Sequence, residues 1–300
     1  MQIISNTTEW NIDENCAVAI GKFDGIHRGH RKLIDAICEY KAQGCKAVVL
    51  TFEPSPLSFF GNGEYKGLTT TAEKRRIFEK IGVDILVEYP LNNETAAMEP
   101  ERFIEEVLVR RLHAVCVACG PDFTFGFRGA GNVELLKECG QRFGYVTRVS
   151  DKECRDGAEI SSTLIRNEVE AGHMDKALEY IGAPYSVTGI VEHGRQLGRT
   201  IGIPTVNLIP PEDKLLPPFG VYSAVISYKG EHYKGITNIG VKPTVTDEKS
   251  VTVETYILDF QKEIYGEYIT VNLVKFIRPE QRFDSIEELK QQISRDIAMC

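Results

Sequence analysis

The stretch that decides the fold is CAVAIGKFDGIHRGH, residues 16–30, in which an apolar run passes through a glycine-containing turn into a helix start. Residues 16–20 are a short apolar run bounded by turn-prone residues, which predicts a buried strand, and the helix is predicted to begin at about Arg28. The turn lacks the Gly-x-Gly-x-x-Gly pattern of dinucleotide-binding folds. It carries instead two histidines, His27 and His30, at the first helical turn.

The two histidines predict a phosphate site. Side chains at this spacing share one helix face, so both imidazoles can converge on one phosphate group. Unpaired backbone N–H groups and the helix dipole favour an anion at the same place, and the glycines let the backbone approach it closely. The alternative interpretation is a pair of surface histidines on a solvated helix start.

Strands and helices alternate from residue 16 to residue 150, which is typical of βαβ units that build a parallel sheet. The helix over 71–81 has a capping-box pattern at Thr70 and Glu73. The predicted strands are 16–20, 47–52, 84–89, 114–119 and 145–149, and the predicted helices are 28–43, 71–81, 101–112 and 133–143.

The pattern changes after a further pair of helices, predicted over 162–171 and 174–181. Alternating apolar and polar residues then indicate a β-barrel or sandwich. The chain ends on an amphipathic helix over 285–299, with a second capping-box pattern at Ser285 and Glu288. We place the domain boundary between 1–183 and 184–300. The predicted strands of the second domain are 185–191, 221–228, 233–239, 251–258 and 268–276.

The composition of the 300 residues is that of an ordinary globular protein, with 42% hydrophobic and 26% charged residues. The 35 basic residues against 43 acidic ones give a net charge of −8, which disfavours nucleic acid and acidic membranes as partners. No apolar run reaches the ~20 residues of a membrane span, and the first residues do not resemble a leader. Eight scattered cysteines suit free thiols in a reducing compartment, so we expect a cytoplasmic protein; its oligomeric state is left open.

Two further segments predict anion binding. Residues 161–166, SSTLIR, combine a helix start, hydroxyl groups and a guanidinium, although Ser and Thr there also serve as plain helix caps. Residues 194–207, GRQLGRTIGIPTVN, form a glycine-rich basic loop that can present N–H groups to phosphates or simply make turns. Thr205 and Asn207 are spaced so that both side-chain oxygens lie on one side of a strand, which suits Mg²⁺ beside ATP phosphates.

Two other features are ambiguous. Glu254 is a carboxylate within an apolar strand, which fits either a catalytic base or a side chain on a solvated face. Cys116 and Cys119 have the spacing of a metal or redox pair, but they lie inside a predicted strand without a second pair, so we expect buried thiols.

The N-terminal motifs resemble the adenylyltransferase half of bacterial bifunctional riboflavin kinase/FAD synthetase. The matching segments are 21–30, TFEP at 51–54, DFTFG at 122–126 and ISSTLIR at 160–166. The resemblance implies a Rossmann-like nucleotidyltransferase with His27 and His30 on the ATP phosphates. It also implies ATP contacts at Gly21, Phe23, Asp24, Gly25, Gly29, Ser162, Thr163 and Arg166, and flavin contacts at Asp122, Phe123, Phe125 and Phe127. A Phe at every second position equally fits the buried face of a strand.

Residues 185–298 resemble the riboflavin kinase module, which implies a six-stranded barrel. In this module Thr205 and Asn207 are expected to bind Mg²⁺ and ATP, and Glu254 to activate the ribityl 5′-hydroxyl. Further implied contacts are Gly198, Arg199, Gly202 and Pro204 for ATP, and Arg278 and Phe283 for the flavin.

Together the resemblances imply that riboflavin is phosphorylated to FMN, and FMN adenylylated to FAD, with ATP and Mg²⁺. The chain departs from the family at Ser55 and Tyr256, where His is usual, and at Asn132, where Asp is usual. The alternatives are therefore a riboflavin kinase with an impaired adenylyltransferase half, or a noncatalytic flavin- or nucleotide-binding regulatory protein.

Overall fold

The computed structural model describes residues 1–61, 65–193, 198, 202–243 and 249–300. The chain divides into two compact units, Met1–Ser162 and Thr163–Cys300. Each unit has its own six-stranded sheet within these ranges, and each is described by itself.

The first unit is built on a parallel sheet in the order β1-β4-β3-β2-β5-β6. This confirms the predicted Rossmann-like fold. Strand β1 lies at the edge and was not predicted, because its residues are exposed or half-buried and lack the continuous apolar run of the central strands. The strands are β1 (Gln2–Ser5), β2 (Cys16–Ile20), β3 (Lys46–Glu53), β4 (Ile85–Pro90), β5 (Ala114–Cys119) and β6 (Val146–Val149).

An apolar core covers each face of this sheet, as the alternation of side chains along β2 shows. Cys16, Val18 and Ile20 belong to one apolar core, while Ala17 and Ala19 belong to the other. Burial on both faces is why β2 is apolar at every position. The helices are α1 (Arg28–Cys38), α2 (Pro56–Phe60), α3 (Thr71–Lys80), α4 (Asn93–Ala96), α5 (Pro100–Phe103) and α6 (Val133–Phe143).

Several predicted helix ends differ in detail from the structure. Helix α1 is followed by a 3₁₀ segment, Glu39–Gln43, and α5 continues as the π-helical segment Ile104–Arg111. The capping box of α3 is complete: Thr70 Oγ1 accepts from Glu73 N at 3.2 Å, and Glu73 Oε2 accepts from Thr70 N at 3.0 Å.

The order of the strands reverses at β2. The chain builds β3 and β4 on one side of β2 and then returns to build β5 and β6 on the other. In open parallel sheets such a reversal leaves a crevice at the carboxyl ends of the strands, where ligands bind. Here that crevice lies at the turn that follows β2.

The second unit contains an antiparallel sheet in the order β10-β13-β12-β11-β14-β9. The edge strands meet at one bridge, where Glu192 N donates to Asn207 O at 2.8 Å, so the sheet curls into a half-barrel. The six-stranded architecture is thus confirmed. Its strands are β9 (Tyr185–Ile190), β10 (Thr205–Leu208), β11 (Gly220–Tyr228), β12 (Glu231–Pro243), β13 (Lys249–Ile257) and β14 (Tyr268–Arg278); a short hairpin in the first unit forms β7 (Cys154–Arg155) and β8 (Ala158–Glu159).

The remaining helices are α7 (Ser162–Glu170), α8 (Met174–Ile181) and the terminal α9 (Ile286–Ile297). The predicted capping box of α9 is only half formed. Ser285 Oγ accepts from Glu288 N at 3.2 Å, but the Glu288 carboxylate accepts from Asp284 N at 3.3 Å instead of from Ser285. No helix in the described ranges combines the length and the apolarity needed to cross a membrane.

Candidate active sites

A cavity of about 910 Å³ opens at the carboxyl ends of the parallel strands. Its wall includes the last residue of β2, Ile20, together with Phe52 of β3 and Tyr89 of β4. Gly120 and Ser150, which follow β5 and β6, complete this rim. The cavity therefore occupies the crevice that the reversed strand order creates.

His27 and His30 both line this cavity, and their rings stack with centroids 3.8 Å apart. Their Nδ1 atoms are buried and have no hydrogen-bond partner in the described part of the chain, and His27 is only 7% exposed. The interpretation as solvated surface histidines is therefore wrong. A Cβ at Gly29 would lie 3.2 Å from the His27 ring, so glycine lets that ring lie against the helix backbone.

Burial sets the protonation of both imidazoles. It lowers the pKa of His27 to about 4, against a smaller opposing effect of Asp24. It also holds the pKa of His30 well below its usual range, and the nearby His27 and Lys74 lower that pKa further. Both rings are neutral at pH 7 without a ligand, and each can offer one N–H to an anion.

Phe23, Asp24 and Gly25 lie beneath the cavity rather than in its wall. Phe23 is fully buried against His30, with ring centroids 5.1 Å apart. The Asp24 carboxylate accepts from Tyr65 Oη at 2.6 Å and from Thr69 N at 3.2 Å. Gly25 N donates to Thr69 Oγ1 at 3.1 Å. These contacts with protein groups support the turn that carries His27 and His30; contact of the three residues with the nucleotide stays a prediction.

The Phe-rich segment is a loop and not a strand. Phe125 exchanges two backbone hydrogen bonds with Gly131, and Gly126 adopts φ 72°, which breaks the extended alternation. Phe123 and Phe125 stack at 5.5 Å, while Phe127 is 38% exposed. All three rings line the cavity, so the alternative of a buried strand face is wrong, although Phe125 itself is 5% exposed.

Asp122 also lines the cavity, but its carboxylate forms an ion pair with Lys152, which in turn donates to Glu159 Oε2 at 2.9 Å. Sequence reasoning missed the cations of this wall, which are Lys22, Arg128 and Lys152. They lie on turns that follow different strands, so no single motif groups them.

The SSTLIR segment divides between the two compact units. Ser162 lines the cavity, and its Oγ donates to Asp24 O at 2.8 Å, which ties this helix start to the histidine turn. Thr163 and Arg166 lie on α7 in the second compact unit, where Thr163 is exposed and Arg166 half-buried.

Two of the departures from the family pattern act as helix caps. Ser55 Oγ accepts from Ser58 N at 3.1 Å at the start of α2, and Asn132 Oδ1 accepts from Leu135 N at 3.0 Å at the start of α6. Asn and Asp serve equally well at this position of a helix, so Asn132 keeps the local fold that an Asp would give.

In the second unit, a row of polar side chains crosses three neighbouring strands. Glu254 of β13 pairs in register with Asn207 of β10 on one side and with Asn238 of β12 on the other. Thr205 Oγ1 donates to Glu254 Oε1 at 2.8 Å. The next residue on β13, Thr255, is fully buried, so Glu254 points away from the barrel core.

Asn238 was not predicted as a site residue. Its Nδ2 donates to Glu280 Oε1 at 3.0 Å, which links the polar row to the segment after β14. Its position opposite Glu254 follows from strand register, which composition and spacing do not reveal.

The oxygens beside Glu254 fit a magnesium ion. Thr205 offers a hydroxyl, Asn207 an amide oxygen and Glu254 a carboxylate, and Mg²⁺ prefers such hard donors in small number. No cluster of three or more His, Cys, Asp or Glu side chains in the described ranges is arranged to hold a metal ion.

The glycine-rich loop before β10 is partly described. Gly198 O accepts from Ile203 N at 2.8 Å, Gly202 adopts φ 79°, and Pro204 is exposed. Arg199, the predicted phosphate contact, lies outside the described residues.

The predicted flavin contact Arg278 has a structural partner. Its Nη2 donates to Asp296 Oδ2 at 2.8 Å and its Nε lies 3.1 Å from both carboxylate oxygens. Asp296 is 1% exposed on α9. The guanidinium thus anchors the terminal helix, and it stacks at 5.7 Å over Phe283, which is half-buried. Contact of Arg278 and Phe283 with the flavin stays a prediction.

The cysteine pair behaves as predicted. Cys116 and Cys119 are fully buried within β5, and burial raises the pKa of both thiols, that of Cys119 to about 11. All eight cysteines are free.

Comparison with known proteins identifies the family. Residues 9–164 match the family model described as FAD synthetase, and residues 181–300 match the model described as riboflavin kinase. The chain belongs to the bifunctional riboflavin kinase/FMN adenylyltransferase family.

Relatives of that description cover nearly the whole chain. The one from Listeria monocytogenes is 36% identical over 97% of this chain and 92% of its own length. The one from Escherichia coli K12 is 37% identical over 94% of this chain and 91% of its own length. A crystal structure described as a macrolide-efflux protein from Streptococcus pneumoniae is similar in fold, with a TM-score of 0.86 and 28% identity over 99% of this chain and 97% of that one.

Proposed function

We propose that the half-barrel site makes FMN and the histidine cavity makes FAD. The chain is a transferase that phosphorylates riboflavin with ATP and then transfers an adenylyl group from a second ATP to FMN. The observation that carries this assignment is the stacked His27–His30 pair in a cavity at the switch point of the parallel sheet, with both Nδ1 atoms buried and without a hydrogen-bond partner among the described residues.

In the kinase site, Glu254 is proposed as the general base. Its carboxylate points out of the barrel core, where a substrate hydroxyl can reach it. The Thr205 hydroxyl donates to Oε1 of this carboxylate, which fixes the group that is proposed to accept the ribityl 5′ proton. The riboflavin oxygen then attacks the γ-phosphorus, the bond from that phosphorus to the β–γ bridging oxygen breaks, and ADP leaves.

Thr205 and Asn207 are the residues proposed to hold Mg²⁺ with ATP. When bound, the ion would neutralise charge on the phosphates. The rate of phosphoryl transfer then depends on how the reactants are positioned and on electrostatic stabilisation of the developing charge. The backbone around Gly198, Gly202 and Pro204 is proposed to contact the phosphates, and Arg199 is proposed to do so through its guanidinium.

In the adenylyltransferase site, His27 and His30 are proposed to stabilise the ATP phosphates. Neutral imidazoles donate N–H groups to the oxygens where charge develops, and within the described ranges no protein group competes for their buried Nδ1 atoms. Ser162 is proposed to help close this end of the cavity. Thr163 and Arg166 remain predicted contacts for the triphosphate.

The flavin of FMN is proposed to occupy the aromatic part of the same cavity. Phe123 and Phe127 offer accessible ring surface, and Phe125 supports the Phe123 ring from below. Asp122, held by Lys152, lies at the polar edge of this region.

Incubation of the unaltered chain with riboflavin, ATP and Mg²⁺, followed by chromatography of the flavins, tests the proposal. FMN should appear first and FAD and pyrophosphate afterwards. FMN without FAD would favour the kinase with an impaired adenylyltransferase half, to which Ser55 points. The absence of both FMN and FAD would favour a noncatalytic flavin-binding protein.

A further inference from the structure

Lys22 is a cation of the cavity wall whose ammonium is not engaged by the protein. It lies in the turn that follows β2, it is exposed, and it lines the cavity. Within the ranges that the structure describes, its side chain forms no ion pair and no hydrogen bond. The ammonium is therefore available to a ligand in the cavity.

The other two lysine and arginine side chains of this wall are engaged. The Lys152 ammonium forms ion pairs with two carboxylates of the wall. The Arg128 guanidinium lies over the Phe127 ring, 5.1 Å from its centroid, in the aromatic part of the cavity. Lys22 is thus the cation that this part of the wall offers to an anion near the histidines.

The acidic residues of the described wall lie away from Lys22 in the fold. They follow β5 and β6, whereas Lys22 follows β2, and three of them already pair with a lysine. Asp24, the acid within the turn of Lys22, is buried, and its carboxylate accepts from Tyr65 and Thr69. The acidic residues that line the described wall are Asp122, Asp151, Glu153 and Glu159.

The backbone on both sides of the Lys22 side chain is fixed to strand β3. Gly21 N donates to Leu50 O at 3.2 Å, and Thr51 Oγ1 donates to Lys22 O at 3.3 Å. Thr51 is 3% exposed, so this anchor belongs to the buried part of the sheet. An available ammonium on a fixed backbone loses less conformational freedom when it binds a ligand.

Adenylyl transfer brings two anions together in this cavity. ATP and FMN both carry phosphate groups, and their like charges repel each other. His27 and His30 are neutral at pH 7 and offer N–H dipoles without formal charge. A lysine ammonium supplies a compact positive charge with three donors, and Lys22 stands only five residues before His27 in the same turn.

The direction of the reaction favours FMN as the partner of Lys22. The attacking and leaving oxygens of such a transfer are roughly in line with the phosphorus. The histidines at the start of α1 are proposed to hold the ATP phosphates, which include the leaving pyrophosphate. The acceptor then approaches from the strand side of the turn, where Lys22 lies.

We propose that Lys22 binds the phosphate group of FMN and positions it for attack on ATP. One oxygen of that phosphate forms the new bond to the α-phosphorus, the bond from this phosphorus to the α–β bridging oxygen breaks, and pyrophosphate leaves. The ammonium keeps its protons and donates hydrogen bonds to the FMN phosphate. This inference rests on the proposed function of the cavity, and it makes Lys22 a residue that selects a phosphorylated flavin.

Lys22→Met, Lys22→Arg and the control Lys80→Met should be compared in the full chain with FMN and ATP supplied. Lys22→Met should raise the KM for FMN by about ten- to a hundredfold, the usual effect of losing a hydrogen bond between charged groups. The KM for ATP at saturating FMN should stay close to that of the unaltered chain. Lys22→Arg keeps the charge and should restore most of the affinity for FMN. Lys80→Met, at an exposed lysine of α3 away from the described wall, should change neither KM.

Two further measurements separate ligand binding from a structural role. Lys22→Met should unfold at the same temperature as the unaltered chain, because the exposed ammonium has no contact within the described ranges to lose. Added salt should raise the KM for FMN more in the unaltered chain than in Lys22→Met, because screening weakens a contact between charges. Riboflavin phosphorylation, which is proposed for the other unit, should not change.

An equal KM for FMN in Lys22→Met and Lys80→Met would overturn the role of Lys22. A rise in the KM for ATP alone would assign Lys22 to ATP and also overturn the proposal. A lower unfolding temperature with a raised KM for both substrates would overturn it in favour of a role in the fold. Absence of FAD formation by the unaltered chain would overturn the proposed function and this inference together, whereas FAD formation with an unchanged KM for FMN in Lys22→Met overturns the inference alone.

Discussion

The hydroxyl of Thr205 on β10 donates a 2.8 Å hydrogen bond to Oε1 of Glu254 on the neighbouring β13. The contact joins the residue proposed to hold Mg²⁺ with the residue proposed to take the substrate proton. Since β13 lies between β10 and β12, one carboxylate is fixed among polar side chains of three strands. Base and metal site are thereby positioned by the register of the sheet.

Replacing Glu254 tests the base. Glu254→Gln keeps the shape and the bond from Thr205 but cannot accept the ribityl proton. We expect FMN formation to fall by ~10²–10⁴-fold, the usual contribution of a positioned base, while supplied FMN is still converted to FAD. Kinase activity close to that of the unaltered chain would remove Glu254 from the mechanism.

Replacing Thr205 tests its link to the base. Thr205→Val removes the hydroxyl at nearly constant volume. A hydrogen bond to a charged group contributes about 1.5–3 kcal/mol, so kinase kcat/KM should fall by about ten- to a hundredfold and the Mg²⁺ requirement should rise. Thr270→Val, at a half-buried threonine of β14, is the matched control. Equal magnesium titrations for the two variants would contradict the assignment.

The buried histidines predict a pH dependence of stability. The pKa of His27 is lowered from 6.5 to about 4 on folding, so between these values the unfolded chain binds more protons. The free energy of unfolding of the first unit should therefore keep its full value above pH 6.5. Between pH 6.5 and pH 4 the contribution of His27 should lower it by roughly 3 kcal/mol, at about 1.4 kcal/mol per pH unit.

Urea unfolding at pH 7 and pH 5 measures this dependence. His27→Asn should reduce the slope by the part that His27 contributes and leave the part due to His30, whereas His113→Asn, at an exposed histidine of the same unit, should leave it unchanged. Saturating ATP should also reduce the slope, because bound phosphate favours protonated imidazole. A slope that is the same with and without His27 would refute the link.

The terminal helix predicts a stability effect in the second unit. Asp296 is buried and accepts from Arg278 and, at 2.8 Å, from Gln292 Nε2. Asp296→Ala leaves the Arg278 guanidinium without its partner, so thermal or urea unfolding should show a loss of ~3 kcal/mol. Glu287→Ala, at an exposed acid of the same helix, should change little. A stability loss below about 1 kcal/mol in Asp296→Ala would show that solvent replaces the pair.

The sequence predicted the features that depend on residues close together in the chain. Strand β2 was visible because both its faces are buried, and the Thr70–Glu73 box was visible because its partners are three residues apart. The histidine pair was found because a helix start fixes the spacing of the two rings.

What sequence missed depends on contacts between distant segments. Strand β1 pairs with β4 more than 80 residues later, and Arg278 finds Asp296 only after the helix folds back. The Phe-rich loop imitates a strand because its breaks at Gly126 and Gly131 are set by packing against Pro100. The structural role of Asp24 was also missed, because its partners Tyr65 and Thr69 lie more than 40 residues away.

The most direct test of two separate sites in one chain is complementation between two variants, read by chromatography of the flavins. Glu254→Gln alone should turn FMN, but not riboflavin, into FAD. The double variant His27→Ala/His30→Ala alone should stop at FMN, since loss of one such donor costs on the order of 10²–10³ in rate. Mixed together with riboflavin, ATP and Mg²⁺, the two variants should produce FAD. Loss of both reactions in either variant, or normal FAD formation by the double histidine variant, would contradict the account.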